Sequence, residues 1–102
     1  DVVPSDRLDQ LPDGAKVAVA GLVVRRQRPL AKAVFMTLED EHGHSPLVIW
    51  PAVYERLRTK ARAPVLIARG IVSRRGGAMN IVVNDLEPVP VEDPGLKSKD
   101  WG

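Results

Sequence analysis

A small closed β-barrel, all-β apart from one helix between its third and fourth strands, is the fold class that the sequence predicts. Three observations predict it. The runs 34–38 and 47–50, rich in β-branched, apolar and aromatic residues, flank a short acidic turn containing Gly43, which is the pattern of a central β-hairpin. Two longer apolar runs, 16–25 and 65–74, each carry an interior glycine, Gly21 and Gly70. Such a glycine marks a bulge or bend, as needed where a long strand passes from one side of a closed sheet to the other. Finally, only residues 51–61 show the spacing of an amphipathic helix.

Taken in order, residues 1–14 form a polar lead-in in which Ser5 is placed to cap a helical turn over 6–10, closed by Pro12-Asp13-Gly14. The first strand runs over 16–25. A basic loop through Lys32 follows, and Pro29, which has no N–H to give a ladder, holds it out of the sheet. The hairpin of strands two and three occupies 34–50. Pro51 starts the helix, whose apolar side is Val53, Leu57 and Ala61 and whose end is expected near Pro64. The fourth strand is 65–74 and the fifth 79–86, joined by Gly76-Gly77, which supply the positive φ of a tight turn. Residues 87–102, with Pro and charge in no period, read as a tail.

The chain of 102 residues is one domain, with its barrel at 15–86, and with aromatic residues at 4% its core must be aliphatic. It has no cysteine, which excludes a disulfide framework, a thiolate metal site and a cysteine nucleophile. No apolar run reaches the roughly 18 residues of a membrane span, and the start resembles no signal peptide. A soluble, cytoplasmic module cut from a longer chain is the expectation. The net charge of +2 hides an uneven distribution: −3 over 1–14, −2 over 87–102, and +7 over 15–86, where twelve Lys and Arg face five Asp and Glu. A centre this basic points to an anionic partner, nucleic acid first, against the plainer reading that the charge keeps a small domain in solution.

Five strands with a helix after the third and glycine bends in the first and fourth are the element order of the oligonucleotide/oligosaccharide-binding (OB) fold, a Greek-key barrel. The segments Val17-Ala18-Val19-Ala20-Gly21-Leu22-Val23, Phe35-Met36-Thr37-Leu38-Glu39-Asp40-Glu41-His42-Gly43 and Val48-Ile49-Trp50-Pro51 extend the comparison. Through them the chain resembles the C-terminal OB-fold domain of bacterial DNA polymerase III α-type enzymes, closest to the error-prone, damage-tolerant branch. The end Ser98-Lys99-Asp100-Trp101 also resembles that branch. The Phe-x-x-Leu-x-Asp-x-x-Gly element is shared with barrels that bind tRNA anticodons. The resemblance implies an accessory module that binds single-stranded DNA, itself no enzyme, within a parent polymerase working in replication, repair and translesion synthesis. The other implied readings are a module docking other replication or damage-tolerance proteins, with the tail as a docking peptide, and an anticodon-binding barrel.

In this fold the ligand lies across strands two and three, between the loop joining strands one and two and the loop joining strands four and five. Candidate phosphate contacts are Arg25, Arg26, Arg28 and Lys32 at the first loop and Arg74 and Arg75 at the second, with Arg69 ranked below them. If Val34, Met36 and Leu38 face the core, period two puts Phe35 and Thr37 on the outer face, Phe35 as a base-stacking platform or, if the strand coils, as core. Trp50 is expected to pack beneath the helix start, with stacking on a base as its second reading. The cluster Glu39, Asp40, Glu41, His42 and His44 reads as hairpin chemistry, Asp40 bonding turn amides, and not as a metal or acid–base site. No cofactor is implied.

Overall fold

The computed structural model describes residues 1–91, so the expectations for 92–102, including the docking role of Trp101, lie outside the described residues. Five strands, β1 (Lys16–Gln27), β2 (Val34–Asp40), β3 (Gly43–Ile49), β4 (Val65–Arg75) and β5 (Ala78–Pro88), close a barrel in the order β1-β2-β3-β5-β4. One helix, α1 (Pro51–Leu57), lies between β3 and β4. All neighbours are antiparallel except β3 and β5, whose parallel pairing of Leu47 with Ile81 and Val48 with Val82 closes the barrel.

Alternation fixes the core. Val34, Met36, Leu38, Leu47, Ile49, Leu66, Val72, Ile81, Val83 and Leu86 are buried, together with Leu8 from the lead-in and Leu57 and Ala61 from the helical segment. The glycines sit where the argument from bends puts them. β1 pairs with β4 up to Leu22 and with β2 from Leu22 onward, so its change of partner falls at Gly21-Leu22. A Cβ on Gly21 would stand 2.5 Å from the Glu39 carbonyl oxygen. At Gly70 the register with β5 slips, leaving Asn84 as an extra residue, and a Cβ there would collide with the Val82 carbonyl oxygen. In the β4–β5 turn Gly76 and Gly77 have φ 59° and 81°, the two-residue turn that matches strand twist.

Several boundaries differ from the sequence reading, each for a physical reason. β1 runs on past Arg25 through Arg26 and Gln27, because these two residues find partners in Met36 and Phe35 on β2. Glu87 and Pro88 belong to β5, paired with Ile67 and Leu66, so they are not tail. The helix does not reach residue 61 as one unit: α1 ends at Leu57 and a 3-10 turn follows at Lys60–Arg62. Its apolar side survives the break, with Leu57 and Ala61 both buried.

Ser5 does not cap a turn over 6–10. It is the first residue of a 3-10 turn, Ser5–Gln10, with no side-chain cap, and its Oγ donates instead to Asp40 Oδ1 at 2.6 Å while its backbone N–H donates to Oδ2 at 2.8 Å. The Asp40 Oδ1 also accepts the N–H groups of His42 and Gly43, each at 2.9 Å, so one carboxylate closes the β2–β3 turn and ties the lead-in to it. Burial works against the charged form, but the four hydrogen bonds, led by the Ser5 hydroxyl, outweigh it and bring the Asp40 pKa down from 3.8 to about 2. A carboxylate held below its unfolded value stabilises the fold above that value and stops doing so as pH falls through the folded one. Asp40→Ala is therefore expected to lower stability by roughly 2 kcal/mol at neutral pH. The difference from the unmodified protein should shrink between pH 4 and pH 2, as urea unfolding followed across that range would show.

Candidate nucleic-acid interface

Because Val34, Met36 and Leu38 point inward, Phe35 and Thr37 stand on the outer face of β2. Phe35 is 40% exposed on that face, so of its two readings the core one does not hold. Across the ladder it faces Val48, and two residues further along β3 the chain reaches Trp50. Trp50 is 53% exposed: it does not pack beneath α1, because its parity with Val48 carries the ring to the outer face before Pro51 turns the chain away.

Both rings line one groove of about 450 Å³. Val48 and Val82 form its apolar floor, and Ser73, Arg75, Ala78 and Asn80 from the β4–β5 hairpin form the opposite wall. Inward Val72, Ile81 and Val83 force Ser73, Asn80 and Val82 outward on alternate positions. The sequence reading missed these three, although the same alternation around the Gly-Gly turn would have placed them. Arg25 and Thr37, paired across β1 and β2, line a neighbouring hollow with Val24, Glu39 and His44.

The seven candidate cations separate by what their side chains hold. Arg26 donates from Nε and Nη2 to the Ala61 carbonyl and from Nη2 to the Ala63 carbonyl, fastening the end of the 3-10 turn before Pro64. Arg74 donates to the carbonyls of Leu8 and Leu11, at 2.8 Å from Nη2 to each, and so pins the lead-in against β4. Arg28 lies 4.8 Å from the centre of the Tyr54 ring, 3.8 Å from Glu55 and bonded to the Lys32 carbonyl, which clasps the β1–β2 loop to α1. Arg69 pairs with Glu87 at 2.9 Å. Among the described residues no such partner engages Arg25, Lys32 or Arg75. These three are exposed, Arg75 lining the groove and Arg25 the neighbouring hollow.

Since Arg74 and Arg26 satisfy backbone carbonyls, Arg74→Ala and Arg26→Ala are each expected to lower stability by about 1–3 kcal/mol, because hydrogen bonds to charged groups are the stronger kind. Arg75→Ala, with no such bonds, should leave the melting temperature nearly unchanged. Thermal unfolding of the three variants checks this.

Residues 17–89 match the family model of the tRNA anti-codon type, described as an OB-fold nucleic acid binding domain. The chain belongs to this family. The OB-fold domain is 46% identical over 94 residues to an error-prone DNA polymerase of Corynebacterium efficiens, covering 88% of this chain and 9% of that protein. It is 46% identical over 98 residues to the error-prone DNA polymerase of Anaeromyxobacter strain K, covering 92% of this chain and again 9% of the relative. The chain thus spans about a tenth of the length of these curated relatives. Among solved structures, asparaginyl-tRNA synthetase from Pyrococcus horikoshii superposes with a TM-score of 0.73 at 26% identity, over 87% of this chain and 22% of that one. The barrel is therefore a nucleic-acid-binding OB-fold with homologues among error-prone DNA polymerases. Among the described residues no helix is long and apolar enough to cross a membrane.

Proposed function

We propose that this OB-fold domain holds single-stranded DNA across β2, β3 and the β4–β5 hairpin, as a non-catalytic accessory module of an error-prone DNA polymerase in the cytoplasm. The observation that carries the reading is the pair of exposed rings, Phe35 and Trp50, in one groove beside Arg75. Unpaired bases stack on such rings whatever their identity, and cations at the rim neutralise phosphates. A duplex hides its base faces, so rings in a groove favour a single strand. Translesion synthesis, repair and docking to other replication proteins belong to the parent polymerase that this reading supplies.

Titrating a labelled single strand at two salt concentrations tests it. Three phosphate contacts, from Arg25, Lys32 and Arg75, give a salt slope of about −2, so affinity should fall roughly fifteenfold between about 50 and 200 mM salt. No binding at the lower salt, or binding indifferent to salt, would sink the proposal. A second reading, tRNA anticodon binding, draws on the family description and the synthetase likeness. It requires folded tRNA to displace the DNA strand in competition; the first reading requires the reverse.

A further inference from the structure

We infer that the groove also reads base identity: Asn80, assisted by Ser73, discriminates among the nucleobases at one position of the bound strand and favours adenine. The inference rests on the nucleic-acid reading of the groove and adds a specificity to it. Stacking and phosphate contacts need no amide, yet the wall facing the two rings carries one. Ser73 and Asn80 are direct partners across the β4–β5 ladder, so their side chains stand next to each other on the outer face. Both line the groove that Phe35 and Trp50 line, and both are partly shielded from solvent.

The surroundings give each group a part. Val48 and Val82 make the floor apolar, so a base seated on it would displace water and a hydrogen bond from the wall would count for more than on an open surface. Arg75 stands two residues from Ser73 on the same face of β4 and is exposed, in reach of the phosphate attached to a base lodged in the groove. A volume of about 450 Å³ takes one nucleotide, not a run of them. An asparagine amide presents a donor and an acceptor side by side, which match the amino group of adenine and its N7; on that edge guanine offers two acceptors and the pyrimidines have no ring nitrogen.

The test compares single strands of thymines with strands in which one central thymine is replaced by adenine, guanine or cytosine, followed by fluorescence anisotropy at low salt. The adenine-containing strand should bind roughly tenfold more tightly than the all-thymine strand, and more tightly than the guanine or cytosine strands. In Asn80→Ala that ratio should collapse towards one; Asn80→Asp, the same shape with two acceptors, should collapse it as well and serves if the alanine variant fails to fold. Trp50→Ala should weaken every strand and leave the adenine preference in place. Equal affinity for all four strands, or an adenine preference that persists in both Asn80 variants, overturns the inference while leaving the groove as a general binding site. Absence of binding to any strand overturns the inference together with the reading on which it rests.

Discussion

Gly70→Ala is expected to destabilise the barrel by on the order of 3 kcal/mol, a large share of the margin of a small domain. The new methyl would be driven into the Val82 carbonyl, which is backbone of the adjoining strand and has no side-chain freedom with which to yield. The bulge at Asn84 brings β5 to that distance, so relief would require the ladder itself to shift. Gly76→Ala is the control that isolates the mechanism: with φ 59° and nothing within 4 Å, it costs only the strain of a left-handed residue, roughly 1–2 kcal/mol. Urea unfolding of the two variants measures both. A Gly70→Ala loss no larger than that of Gly76→Ala would mean that the strands yield to the methyl, and that close approach is not why residue 70 is glycine.

The second large effect lies in binding. Phe35→Ala and Trp50→Ala should each weaken the single strand by about 1–3 kcal/mol while leaving the salt slope almost untouched, because stacking releases no counterions. Trp50→Ala is the cleaner of the two, since its ring is more than half exposed and its removal leaves little cavity. Its melting temperature should stay close to that of the unmodified protein. Isothermal titration at two salt concentrations and a thermal melt of the same sample check all three statements. A Trp50 variant that melts early and binds normally would return that ring to a structural role.

The barrel was legible in the sequence because its signals are local. Alternation through Val34, Met36 and Leu38 set the face of β2, the Gly76-Gly77 pair announced its turn, and Gly21 and Gly70 marked the bends before any contact was known. What stayed hidden depended on residues far apart in the chain. Nothing near Arg26 or Arg74 says that carbonyls 35 and 66 residues away need donors, so a count of charges treats those arginines as equivalent to Arg75. Ser5 has the form of a helix cap, and only the fold brings Asp40 within 2.6 Å of its hydroxyl. Trp50 was misread for a related reason: an aromatic before a helix commonly packs under it, and the choice rested on its parity with Val48.

The claim at the centre of the account is that one groove, between the rings on β2 and β3 and the β4–β5 hairpin, is where a single strand lies. Backbone amide shifts followed by NMR as an unlabelled single strand is added test it most directly. The account predicts the largest changes at Phe35, Val48, Trp50 and through residues 73–82, with weaker ones at Arg25 and Lys32. Changes concentrated instead on α1 and the 60–62 turn, where Arg56, Arg58, Lys60 and Arg62 supply comparable charge without a ring-lined groove, would contradict it.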